Sequence, residues 1–140
     1  MTQSNLPHLV FDTNALISAA IIPDSVSRKA LLQAVERYQL VHSEETWAEF
    51  AEVIARKKFD RYFPDASRIE FMLMMARSSK FLNVSITISD CADPKDNKFL
   101  ELAMEAESPI IVSGDNHLLD MHPYRGISVL APAEFLRLAE

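Results

Sequence analysis

Glycine is nearly missing from this sequence: 140 residues contain two, Gly114 and Gly126. Neither a Walker-type phosphate loop nor a G-x-G-x-x-G turn can be written with them, which excludes the nucleotide-binding folds built on those loops. Cysteine is represented by Cys91 alone, so an intrachain disulfide is impossible, and one thiol with four scattered histidines makes no structural zinc pattern. Packing is enough to account for Cys91. Long hydrophobic runs are lacking too. The longest, residues 15–22, stops at Pro23 and falls far short of the ~20 residues that cross a bilayer, and the N-terminus carries no positive signal-peptide region. A cytoplasmic chain with no membrane segment is the expectation. Positive charge is in the minority, 14 Lys and Arg against 20 Asp and Glu, a net −6 that argues against a general polyanion binder.

What is present is enough apolar residue, 49%, for a real core in one domain spanning 1–140. Leu9-Val10-Phe11 and Ile110-Ile111-Val112 are short apolar runs, bounded by Pro7 and Asp12 and by Pro109 and Gly114, and read as strands covered on both faces. Residues 39–42, 82–86 and 127–130 are further strand candidates. Helical patterns occupy 26–38 behind the Asp24/Ser25 cap, 44–58 behind Ser43, 66–79 behind Pro64 and 94–107 behind Asp93, with a last helix from Pro132. Strands separated by such helices predict an α/β fold, a three-layer α/β/α sandwich around a parallel sheet. In the 66–79 helix, Ile69, Met72, Leu73 and Ala76 make one apolar stripe while Phe71, Met74 and Met75 point elsewhere. That leaves two readings open, a helix buried between neighbours or a partner surface.

Groups that follow the strands of a parallel sheet collect at its carboxyl edge, where ligands bind. Asp12 follows the first strand and Asp115 follows residues 110–113, so the two meet if those strands are neighbours. Asp96, in the first turn of the helix from Pro94, joins them if that helix starts at the same edge, which the sequence does not force. On the helix from Glu44, Trp47, Phe50, Ala51 and Ile54 form the apolar stripe, and Glu49 lies at its border beside Val53. Glu45 and Glu52 sit further toward solvent. Each acid alone has a plain structural explanation: a strand end, a helix dipole, a solvated helix, a turn. Crowded together, they stay ionised only with a counter-charge. A divalent cation supplies it, and all-oxygen ligation favours Mg²⁺ or Mn²⁺ over zinc.

Four segments then carry a resemblance: Leu9-Val10-Phe11-Asp12-Thr13-Asn14, Glu44-Glu45-Thr46-Trp47-Ala48-Glu49-Phe50, Asp93-Pro94-Lys95-Asp96-Asn97-Lys98-Phe99-Leu100-Glu101-Leu102-Ala103, and Ile111-Val112-Ser113-Gly114-Asp115 with Leu118-Leu119. In this order they resemble PIN-domain ribonucleases, most of all the bacterial and archaeal toxins of toxin–antitoxin systems. The resemblance implies a metal-dependent endoribonuclease in which Asp12, Glu49, Asp96 and Asp115 bind one or two Mg²⁺ or Mn²⁺ ions. Cleavage of single-stranded RNA leaving 5′-phosphate and 3′-hydroxyl ends is the implied reaction. Ser113 and Asn14 match polar positions that orient carboxylates or water, and Asp93 either contacts metal through water or caps its helix. A small antitoxin covering the cleft and a homodimer are the implied protein partners, with Phe71, Met74 and Met75 a candidate contact surface.

Arg56, Lys57, Lys58 and Arg61 alternate with Phe59, Tyr62 and Phe63 in the one dense basic segment. Such a segment can neutralise phosphates and stack unpaired bases; equally, it can be a helix C-terminus with its aromatics turned inward. His117 reads as a polar helix-start residue. Among other Mg²⁺-dependent classes, an Asp-x-Asp phosphotransferase lacks its second acid here because Asn14 stands in that place. A receiver-type domain lacks its acidic pair. A non-catalytic PIN-like RNA-binding module would be marked by a lost acid, and none is lost; a PIN nuclease of RNA processing, without an antitoxin, is the other alternative. Metal in the cleft would also change what the net charge means, since bound cations invert the local sign.

Overall fold

The computed structural model describes residues 5–138. Its centre is a five-stranded, wholly parallel sheet: β1 (His8–Phe11), β2 (Gln39–His42), β3 (Ser79–Phe81), β4 (Ile110–Val112) and β5 (Ser128–Leu130), in the order β3-β2-β1-β4-β5. The α-helices are α1 (Thr13–Ile21), α2 (Val26–Arg37), α3 (Glu44–Ile54), α4 (Asp65–Ser78), α5 (Asn97–Ala106), α6 (Asn116–Leu119) and α7 (Pro132–Arg137). Side chains alternate across a strand, so each apolar run feeds two cores. Leu9, Phe11, Ile110 and Val112 pack with buried residues of α1, α2, α3, α4 and α7; Val10, Val41 and Ile111 pack on the other face with α5 and α6. This is the expected three-layer sandwich, and it explains why the central strands read as unbroken apolar runs. Among the described residues, no helix is long and apolar enough to cross a membrane.

The strand order reverses direction at β1 and β4, which pair in the register Val10↔Ile111 and Phe11↔Val112. The chain leaves β1 to build one half of the sheet and returns at β4 to build the other. Their carboxyl ends therefore flank the crevice where open α/β sheets bind ligands.

Several boundaries differ from expectation. The apolar stretch 15–22 is α1, a helix with Ala15, Leu16, Ile17, Ala19 and Ala20 all buried, so it shows no polar face by which to be recognised. The helix from Glu44 ends at Ile54, and a separate 3-10 turn takes Lys57–Phe59. The helix from Pro94 opens as a 3-10 turn, Pro94–Asp96, before α5 begins. The third strand is Ser79–Phe81; residues 82–90 are an extended strap. Its period-2 pattern is real, and Leu82, Val84 and Ile86 do pack on the α5 side. Its first N–H, that of Leu82, still donates to the His42 carbonyl of β2 (2.9 Å); beyond it the backbone is held by helix carboxylates, Ser85 N–H donating to Glu105 Oε1 (3.0 Å) and Ile88 N–H to Glu101 Oε2 (2.9 Å).

The apolar stripe of α4 is also corrected. Met75 is fully buried and Phe71, Met72 and Met74 pack against the core, whereas Ile69 and Leu73 are exposed. Arg68 shares the inward face: its side chain, 10% exposed, donates to Asp60 Oδ1 (3.1 Å) and to the Phe63 carbonyl (3.0 Å).

Candidate active site

Asp12 is the residue at which β1 becomes α1. As the N-cap it accepts the Ala15 N–H at 2.9 Å, while Ser113 Oγ donates to its Oδ2 at 2.5 Å and the Gly114 N–H lies 3.2 Å from both carboxylate oxygens. Glycine at 114 permits that approach, since a Cβ there would stand 3.3 Å from the Asn14 Cβ and 3.5 Å from the Ala15 nitrogen. Asp115 caps α6 from the end of β4, accepting the His117 N–H at 2.8 Å, and its own N–H donates to Ser113 Oγ at 2.9 Å. Ser113, fully buried, thus ties the first acid to the last. We expect Ser113→Ala to lower divalent-ion affinity about 10–100-fold, read by calorimetric titration, because ligand-orienting hydrogen bonds carry effects of that size.

Asp96 arrives from the 3-10 turn that precedes α5. Asp93 starts this turn, accepting the Lys95 N–H at 3.1 Å, and Asn97 anchors it by accepting the Cys91 N–H at 2.9 Å. The Asp96 carboxylate is buried and faces that of Asp115, and its Oδ2 has no hydrogen-bond partner. Glu49 is delivered by α3, whose start is set by a reciprocal box: Ser43 Oγ accepts the Thr46 N–H and Thr46 Oγ1 accepts the Ser43 N–H. Thr13 Oγ1 donates to Glu49 Oε1 at 2.6 Å and Lys98 Nζ lies 3.5 Å from Oε2.

Asp12, Glu49, Asp93, Asp96 and Asp115 line one cleft of about 420 Å³. Asn14, Arg56 and Lys58 also line it, whereas Lys57 and Arg61 are exposed and do not. Of the two polar residues after Asp12, it is Thr13 that bonds a carboxylate. Sequence reasoning missed Thr13 and Lys98; His117 does stand at the start of α6, as expected, and its Nδ1 also lies 3.4 Å from Asp115 Oδ1. Ligand atoms of Asp93, Asp96 and His117 all come within 4.8 Å of one another. The aromatics of the basic segment divide: Phe63 is buried, Phe59 packs on the core, and Tyr62 is exposed.

The electrostatics call for a cation. Burial, only partly offset by the Ser113, Ala15 and Gly114 hydrogen bonds, raises the Asp12 pKa from 3.8 to about 6. Burial, followed by the opposing Asp115 carboxylate, raises that of Asp96 from 3.8 to about 7. A partnerless buried oxygen amid carboxylates that resist ionisation is the environment a divalent ion relieves, so the residues present fit one.

A protein-family model described as PIN domain matches residues 8–117. The match runs from the first residue of β1 into α6 and so includes every acid of the cleft. An uncharacterized protein of Methanocaldococcus jannaschii is 28% identical to this chain over 116 residues, covering 81% of the chain and 74% of that protein.

Proposed function

This chain belongs to the PIN-domain family, whose fold is that of metal-dependent nucleases, and on that premise we propose that it is an endoribonuclease that hydrolyses single-stranded or loop RNA with Mg²⁺ or Mn²⁺. The observation that carries the reading is the buried, partnerless Asp96 Oδ2 set against Asp115 and close to Asp12. Asp12, Asp96 and Asp115 would hold the divalent ion, which would lower the pKa of water and offset charge on the phosphate, while Glu49 faces them across the cleft. Ser113 and Gly114 fix the orientation of Asp12, and Thr13 that of Glu49. In the reaction, water oxygen bonds to phosphorus and the P–O3′ bond breaks. Its electron pair stays on O3′, which takes a proton, leaving 5′-phosphate and 3′-hydroxyl ends.

Labelled single-stranded RNA incubated with the protein, with Mg²⁺ or Mn²⁺ and with EDTA, tests this. Cleavage with either ion, abolished by EDTA and yielding 5′-phosphates, is expected. Cleavage that persists in EDTA overturns the proposal, and RNA binding without cleavage favours the non-catalytic module instead.

Arg56 and Lys58 at the cleft support the basic segment as the RNA guide, with Tyr62, exposed and with the Arg61 guanidinium 5.9 Å from its ring centroid, its solvent-facing aromatic. Lys58→Glu is therefore expected to weaken RNA binding more than Lys57→Glu, and to flatten the salt dependence by about 0.7 in log–log slope for each phosphate no longer neutralised. Equal effects of the two reversals would argue against a guide at the cleft.

Action in the cytoplasm as the toxin of a toxin–antitoxin pair, covered by a small antitoxin and working as a homodimer, belongs to the same proposal and rests on the motif resemblance. Met75 is buried, so the apolar contact candidates on α4 are exposed Ile69 and Leu73 together with half-buried Phe71 and Met74, which line a surface groove. Growth arrest on induction of the chain, absent for Asp96→Asn, supports the toxin reading; harmless induction of a protein active in vitro overturns it.

A further inference from the structure

The two sides of the cleft carry different charge balances. On the aspartate side, Asp96 Oδ2 is buried without a partner, and Asp93 and His117 each bring a ligand atom within 4.8 Å of a carboxylate oxygen of Asp96. On the glutamate side both oxygens are already engaged, one by the Thr13 hydroxyl at 2.6 Å and the other by the Lys98 ammonium at 3.5 Å. Lys98 is itself held. Its side chain is 16% exposed, its Nζ also donates to the Lys95 carbonyl, and it lies over the Phe99 ring, 5.5 Å from the centroid. It does not line the cleft. Coming shortly after Asp96, on α5, it reaches back across to α3, so one short segment carries both an acid of the cleft and the counter-charge of another.

Resting on the nuclease reading, we propose that Lys98 is a positioning residue that neutralises and fixes Glu49, so that the cleft takes a single divalent ion on its aspartate side. A second divalent ion beside Glu49 would have to displace an ammonium already paired with it. Two cations at one carboxylate would repel with an energy that grows as water is excluded. Glu49 then remains an oriented acceptor on the opposite side of the substrate rather than a ligand of a second ion.

The test counts ions on the full chain. Mn²⁺ titration followed by the electron paramagnetic resonance signal of the free ion is expected to give one bound ion per chain for the wild type and for Lys98→Arg. Lys98→Met, which keeps the apolar stem and loses the charge, is expected to bind a second ion and to lose about 10–100-fold in kcat at saturating RNA, with KM within about twofold. Two ions on the wild type, or a Lys98→Met protein that binds one ion and turns over normally, overturns the proposal. The underlying reading fails in a distinguishable way: a wild type that binds no Mn²⁺ and cleaves no RNA sinks both, whereas a wild type that binds two ions and cleaves sinks only the role of Lys98. Lys98→Arg guards against misfolding as the explanation, because it preserves the charge at a partly buried position.

Discussion

Asp96→Asn, and independently Asp12→Asn, is expected to reduce divalent-dependent RNA cleavage by about 10³-fold or more while leaving the ion-free protein at least as stable as the wild type. The two halves of that outcome have one cause. Each carboxylate is costly to ionise where it sits, Asp12 because it is 2% exposed and Asp96 because it is buried against Asp115. An amide of the same shape removes the charge and keeps an oxygen that the Ala15 and Gly114 N–H groups can still reach at position 12. It also removes the ligand that a cation needs, and losing one preorganised electrostatic group in an active site costs about 10²–10³ in rate even without loss of the ion. A purely structural role predicts the reverse pairing, lower melting temperature with residual activity. Matched thermal melts in EDTA and cleavage assays with Mg²⁺ on the same preparations decide between them, and undiminished cleavage by either variant would sink the site assignment.

The acids were legible because their positions follow from sheet chemistry. Asp12 directly follows one apolar run that reads as a buried strand and Asp115 comes three residues after another, and neighbouring parallel strands β1 and β4 bring them together. Glu49 followed from the wheel of α3. What pairs with those acids was not legible. The Thr13–Glu49 and Lys98–Glu49 contacts join residues 36 and 49 positions apart, and no local pattern marks a hydroxyl or an ammonium for a carboxylate on another helix. Buried α1 hid behind the same difficulty, since a helix covered on nearly every side has no alternation to read. In α4 the periodicity was visible but not its phase: the inward face carries buried Arg68, a charged residue whose partners, Asp60 and Phe63, lie outside the helix. The 82–90 strap shows a further limit: alternation reports which side faces a core, and says nothing about whether backbone partners come from a strand or from Glu101 and Glu105 on a helix.

Stability should respond to pH through two buried carboxyls, Asp12 and Asp96, opposed by the imidazole of His42, and Asp12→Asn should isolate the share of Asp12. The carboxyl of Asp12 is raised from 3.8 to about 6, so between those values the folded state keeps a proton that the unfolded state releases. Stability from this group is full below 3.8 and is lost as pH rises toward 6, by about 3 kcal/mol at about 1.4 kcal/mol per pH unit. His42 acts in the other direction. Buried beside Trp47, Phe50 and Phe81, it has its pKa lowered by desolvation from 6.5 to about 4. Its contribution is full above 6.5 and is lost as pH falls toward 4, again by about 3 kcal/mol. In the ion-free wild type Asp96, raised from 3.8 to about 7 by burial and the facing Asp115 carboxylate, adds to the Asp12 slope, so the two carboxyls together outweigh the opposing His42 slope across that window. Asp12→Asn removes the Asp12 slope and leaves those of Asp96 and His42, so the stability of the variant relative to the wild type should grow by about 3 kcal/mol from pH ~4 to ~6, read by urea denaturation in EDTA. Parallel curves for the two proteins would show that Asp12 is not held protonated by burial. Saturating Mg²⁺ should act on the wild type in the same range, because an ion must displace the protons that Asp12 and Asp96 retain up to about 6 and about 7. The Mg²⁺-induced rise in melting temperature should therefore be small near pH ~5 and largest above pH ~7, and in Asp12→Asn it should be largely lost throughout.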